Sequence, residues 1–262
     1  MPEFEQIIVE QIGEVVRITL NRPERLNAWT PQMLGEMKQV ILAANDDSAV
    51  GAIVVTGAGR GFCAGADIGA QFAPGVEGTK PAARPVDNVA VDWVQLCRSS
   101  KPLVAAINGP AIGVGLTMVL PFDQLIAAEG AKLSARFVKM GLVPELASSH
   151  FLVARCGFGA ASWLALSGTT VLAEEAARLR LVDRVVAVEH VVDEAMAVAA
   201  ELAVNPSTQV RMIKELLTAN AMETDLDVVQ RREGEALAKA YKTPEHHEAV
   251  RAFLEKRPPV FR

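Results

Sequence analysis

Residues 51–69 read GAIVVTGAGRGFCAGADIG, and this stretch decides the fold. Its opening, Gly51 to Val55, is an uninterrupted apolar run and reads as a buried strand. The run ends in TGAGRG, where Gly57, Gly59 and Gly61 let the backbone take positive φ and lie close to a ligand. FCAGAD follows, with small side chains around Gly65 and Ala66 and a carboxylate at Asp67. Small side chains on a turn at a strand end leave backbone N–H groups exposed. Such donors can hold a developing oxyanion.

Residues 102–120, PLVAAINGPAIGVGLTMVL, repeat that grammar. A strand leads to Asn108-Gly109-Pro110 and then to a helix start at Gly113-Val114-Gly115. A helix N-terminus offers unpaired N–H groups and partial positive charge. Two donors facing one point would form a two-N–H oxyanion hole. By length alone this apolar run could also span a membrane, but its asparagine, glycines and prolines split it into strand, turn and helix, the pattern of a core.

The 262 residues are half hydrophobic, ample for a large core in one or two domains. A net charge of −5 argues against a nucleic-acid groove. Cys63, Cys97 and Cys156 are odd in number and widely spaced, so they give neither a disulfide framework nor a zinc pattern, and a reducing cytoplasmic setting is expected. The acidic start MPEFEQIIVE is not a signal peptide.

Taken in order, residues 4–11 and 14–20 predict a hairpin around Gly13. NRPERLNAWT is a loop, and Thr30-Pro31 caps and opens a helix to about Asp46. Residues 70–88, rich in Pro, Gly and Ala, predict a loop over a pocket, and 89–100 a helix. FDQLIAAEG and AKLSA are strands, FVKMGLVPE is irregular, and LASSHFLVARCG begins a helix. Two short helices are expected over 157–178 and a last strand over Leu181 to Val186. Residues 189–256 are helical, in three or four segments broken at Asn205-Pro206 and Thr243-Pro244. Alternating strands and helices give an α/β class with parallel pairings.

FCAGADI, INGPAIGVG, FDQLIAA and EAVRAFLEKRPPVF together resemble the crotonase, or enoyl-CoA hydratase/isomerase, superfamily. The resemblance implies a ββα spiral core over 1–190, a helical subdomain over 191–262 used in oligomerisation, and a homotrimer or dimer of trimers. It implies an acyl-CoA thioester substrate, coenzyme A entering as part of that substrate, and no separate cofactor or metal. It puts the oxyanion N–H groups on Ala66 and Val114. Arg25, Leu26 and Ala28 match the loop lining the CoA groove. Ala64, Asp67 and Ile68 match the segment beside adenine and pantetheine, and Phe253 and Lys256 match a C-terminal pair that in the family often reaches CoA, in some members from a neighbouring subunit.

Hydratases of this family carry two glutamates, at positions matching Thr117 and Phe137 here. Neither residue is a useful base. GLVPELASS, 141–149, instead resembles the corresponding segment of delta-3,delta-2-enoyl-CoA isomerases, which makes Glu145 the proton shuttle. An apolar wall with Phe137 and Met140 would raise its pKa and exclude water. A double-bond isomerase is therefore the leading expectation. A hydratase with another acid or base, and a silent acyl-CoA-binding protein, stay open beside it. So do plainer roles: Glu145 as a helix N-terminal charge, Asp67 as a turn residue, Gly113 and Gly115 as packing glycines, and Lys256 as a solvated charge.

Overall fold

The computed structural model describes residues 4–67 and 89–262. The predicted loop 70–88 and Ile68 lie outside the described residues.

Strands β1 (Ile7–Ile12) and β2 (Val15–Leu20) form the expected hairpin, with Gly13 turning the chain at φ 59°. Helix α1 (Pro31–Asp46) opens where Thr30 accepts a hydrogen bond from the Met33 N–H at 3.1 Å, with Pro31 as its first residue. Its buried residues, Met33, Leu34, Met37, Val40, Ile41 and Ala44, recur every three or four positions and give it one apolar face.

The first glycine-rich stretch supplies β3 (Ala52–Gly57), and the second β4 (Leu103–Ile107), with α2 (Val89–Ser99) between them in sequence. Every residue of β3 and β4 is buried. They occupy the centre of a six-stranded sheet, ordered β1-β2-β3-β4-β6-β9. Its later members are β6 (Gln124–Ala128) and β9 (Arg184–Val186), and every pairing beyond the first hairpin is parallel. A second, three-stranded sheet joins β5 (Ala111–Ile112), β7 (Lys132–Ser134) and β8 (Val171–Leu172).

The two sheets advance together. β4 leads to β5 and then to the single-turn helix α3 (Val114–Thr117); β6 leads to β7 and then to a 3-10 turn over Arg136–Met140. β3 leads to Cys63, which makes one parallel bridge to Ala111 of β5. This is the expected ββα repeat, and it stacks the loops that follow β3, β4 and β6.

Helix α4 (Ser148–Ser167) breaks at Gly157, where φ is 73° and ψ 165°, and α5 (Ala173–Arg178) follows β8. Four helices close the chain: α6 (Val191–Ala203), α7 (Ser207–Asn220), α8 (Leu226–Ala240) and α9 (Pro244–Glu255). The breaks fall at Asn205-Pro206 and Thr243-Pro244 as expected. α6 does not stand apart from the core. Val191, Ala195, Val198, Ala199 and Ala203 are buried against β3, β4 and β6. Its small side chains allow close approach: a Cβ on Gly51 would lie 2.6 Å from that of Ala203. This helix therefore forms one packed layer with the sheet. α7 is tied in by Lys214, whose Nζ donates to the Cys97 and Lys101 carbonyls and, at 2.7 Å, to Asp123. Asp123 also accepts from Arg98 at 3.2 Å. Burial lowers the Lys214 pKa, against the opposing pull of Asp123.

Candidate active site

The turns that follow β3 and β4 touch backbone to backbone. A Cβ on Gly57 would lie 2.3 Å from the Gly61 carbonyl oxygen. One on Gly109 would lie 2.3 Å from that of Arg60, and one on Gly115 2.1 Å from that of Cys63. Glycine is required at these positions because main chain meets main chain, so the ligand contact expected of Gly57 is not what fixes it. Gly59 and Gly65 do take positive φ, at 70° and 107°. Hydrogen bonds lock the pair: Cys63 N–H to Pro110 O at 2.9 Å, and Ile112 N–H to Cys63 O at 3.0 Å. Gly113 N–H donates to Ser134 O at 2.8 Å, adding the third loop.

This packing brings Ala66 and Val114 onto adjacent turns. Trp29 N–H donates to Gly65 O at 2.8 Å, and Asp67 N–H to Trp29 O at 3.0 Å. In a trans peptide the C=O and N–H point in opposite directions, so the Ala66 N–H is turned away from Trp29. Gly113 O accepts from Leu116 and Thr117, both at 3.0 Å, which points the Val114 N–H out of the N-terminus of α3 by the same rule. None of the described hydrogen bonds uses either N–H.

The loop 22–29 is laid beside them by a residue that the motif reading passed over. Asn27 is fully buried with φ 55°. Its Nδ2 donates to Ala58 O at 2.9 Å and Gly61 O at 2.8 Å, while its Oδ1 accepts from the Arg22 N–H at 2.8 Å. Arg22 was also missed. It donates to Ala28 O at 2.6 Å and pairs with Asp67 at 3.0 Å. A polar Asn inside the apolar run LNAW was the available signal. Leu26 O accepts from Ala64 N–H at 3.0 Å, so Leu26, Ala28, Ala64 and Asp67 share one neighbourhood, with Arg25 exposed beside it. Trp93, fully buried, sits under both turns: its ring lies 6.0 Å from that of Trp29, and its Nε1 donates to Met118 O, just past α3, at 2.9 Å. Burial pushes the Cys63 thiol up to about 12, so it is an inert packing group.

Phe253 and Lys256 lie on the last helix of the chain and its C-cap. Phe253 is exposed on α9 and Lys256 caps its end at φ 54°. None of the described bonds or ion pairs joins their side chains to the turns around Ala66 and Val114. Among the described residues no three His, Cys, Asp or Glu cluster as metal ligands, and no helix is long and apolar enough to cross a membrane.

The family model for enoyl-CoA hydratase/isomerase matches residues 10–262. The chain belongs to the enoyl-CoA hydratase/isomerase family. It is thus an acyl-CoA enzyme of the crotonase superfamily. A probable enoyl-CoA hydratase of Mycobacterium tuberculosis is 35% identical over 258 residues, covering 98% of both chains. The 1,2-epoxyphenylacetyl-CoA isomerase of Escherichia coli is 34% identical over 256 residues, covering 94% of both. Among solved structures, DspI of Pseudomonas aeruginosa superposes with a TM-score of 0.89 at 32% identity, covering 100% of this chain and 98% of that one.

Thr117, Phe137, Met140 and Glu145 follow the two turns in sequence. Thr117 lies on α3 with its hydroxyl buried and without a hydrogen-bond partner among the described residues. Phe137 is buried in the 3-10 turn after β7, and Met140, at the end of the same turn, is more than half exposed. Glu145 stands just beyond, in the loop leading to α4. Burial raises its pKa, and no described bond or ion pair engages its carboxylate. The two residues after it, Leu146 and Ala147, both hold left-handed conformations, φ 53° and 52°. They border a cavity of about 650 Å³ whose far walls are Val94 and Gln95 of α2 and Thr218 and Ala219 of α7.

Proposed function

We propose that this enzyme moves a carbon–carbon double bond in an enoyl-CoA thioester, with Glu145 carrying the proton. The thioester oxygen of a 3-enoyl-CoA takes the Ala66 and Val114 N–H groups. The Glu145 carboxylate removes a proton from C2, and the charge delocalises as a dienolate onto that oxygen. The same carboxyl returns the proton at C4, which leaves the conjugated 2-enoyl thioester. One base suffices, and no water enters. The supporting observation is a half-buried carboxylate at Glu145 without a bond or ion pair among the described residues, its pKa raised by burial, combined with Thr117 and Phe137 where a hydratase needs carboxylates. A carboxylate with a raised pKa is a better base for a weakly acidic α-proton. Two fixed donors stabilise the enolate more than the ground state.

Glu145→Gln lowers isomerisation of a 3-enoyl-CoA by roughly 10²–10⁴-fold with little change in acyl-CoA affinity, read by absorbance of the conjugated product and by calorimetry. Full activity in this variant refutes the assignment. The pH–rate profile carries the same signature. The base form is active, so kcat rises with pH, and its acid limb lies above the ordinary carboxylate range. The stability effect has the matching sign: ionised Glu145 disfavours the folded state above its raised pKa and costs nothing below the unfolded value. Glu145→Gln therefore raises Tm at neutral pH, and the gain vanishes in acid.

Hydration is the second reading, favoured by the names of relatives such as the M. tuberculosis protein. Consumption of crotonyl-CoA to the 3-hydroxy product would select it.

A further inference from the structure

We infer that Arg22 is a positioning residue for the oxyanion hole, acting on the Ala66 N–H through a chain of two peptide groups. The inference rests on the reading that Ala66 N–H meets the thioester oxygen. The Arg22 guanidinium donates to the Ala28 carbonyl at 2.6 Å. That carbonyl and the Trp29 N–H belong to one peptide unit. Trp29 N–H donates to the Gly65 carbonyl at 2.8 Å. That carbonyl and the Ala66 N–H belong to the next. The series therefore runs from a permanent cation, through Ala28–Trp29 and Gly65–Ala66, to the outward N–H.

Each link polarises the one after it. A donor on a carbonyl oxygen withdraws electron density from its peptide and makes the N–H of that peptide a stronger donor. The first link is charge-assisted and short. Asp67 faces Arg22 from the other side at 3.0 Å and offsets part of the charge. Its backbone N–H meanwhile donates to Trp29 O at 3.0 Å, a second bond between the two segments. Asn27 keeps the loop on the Ala58 and Gly61 carbonyls independently of the guanidinium, so loss of the charge leaves the loop anchored.

The test reads the carbonyl itself. Butyryl-CoA labelled with 13C at the thioester carbonyl, which has no double bond to move, is bound at saturation and followed by isotope-edited infrared spectroscopy. The band shifts to lower frequency on the native enzyme. Arg22→Met removes roughly a third of that shift. It lowers kcat about tenfold, less than loss of a whole donor, with KM within about twofold. Arg22→Lys, which retains a cation, keeps most of the shift. Asp67→Asn, which keeps the guanidinium and removes its counter-charge, gives a shift at least as large as the native one. That variant, with Arg22→Lys, decides the matter if Arg22→Met does not fold. An undiminished shift in Arg22→Met, an equal loss in Arg22→Lys, or a smaller shift in Asp67→Asn overturns the relay and leaves the oxyanion reading intact. No shift on the native enzyme overturns both.

Discussion

The turns after β3 and β4 present N–H groups that no described hydrogen bond uses, and they do so by different physical means. Val114 owes its donor to local structure. It is the first residue of a helix, where the N–H has no intrahelical acceptor, and the Gly113 carbonyl behind it is held by the same helical turn. Ala66 has no helix among the described residues to expose it. Its direction comes from a segment some forty positions earlier, through Trp29 and Gly65. One donor is set by its own neighbours in sequence, and the other by a loop distant in sequence. The first is therefore robust to changes in the N-terminal loop and the second is not.

Substitutions can separate the two. Val114→Pro deletes one donor at a position where Pro is favoured, so kcat falls roughly 10²–10³-fold while Tm stays nearly unchanged. Equal activity would remove Val114 from the site. Gly115→Ala tests their shared seam. Its Cβ would meet the Cys63 carbonyl oxygen at 2.1 Å, which forces the turns apart at about 3 kcal/mol. Thermal unfolding should report a Tm lower by roughly 6–12 °C, and rate should fall with it. Gly113→Ala is the mildest. Nothing lies within 4 Å of the added methyl, so its cost is the backbone at φ 56°, ψ −122°, on the order of 1–3 kcal/mol. A larger loss there than at Gly115 would mean that conformation, and not contact, holds the seam.

Much of this arrangement was legible in the sequence because it depends on local pattern. The apolar runs of β3 and β4, the Thr30-Pro31 cap and the proline breaks between the last helices each carry their own signal. The two-residue strands β5 and β8 carried none, since so short a run has no periodicity to read. Of the three glycines after β3, Gly59 takes the expected positive φ while Gly57 and Gly61 do not; Gly57 is held by close main chain instead, because a sequence does not say which backbone comes near. The packing of α6 on the sheet was hidden for a related reason. A run of helices resembles a separate unit until the alanine face of α6 is seen on the sheet. In the candidate site, Ala66 and Val114 are proposed from resemblance, whereas Arg22 and Asn27 act on main-chain carbonyls. Carbonyls are common to every residue and leave no trace in the letters.

The Trp93 ring, seated under both turns, makes the site self-reporting. Trp93 and Trp29 are shielded from solvent and lie edge to face at 6.0 Å, while Trp163 is about half exposed on α4. An aqueous quencher such as iodide therefore silences Trp163 first. The blue-shifted emission that survives, and the coupled indole bands of the near-ultraviolet dichroism, come from the pair beneath the donors. Small movements of either turn can be followed in solution by light alone, with no label attached to enzyme or substrate.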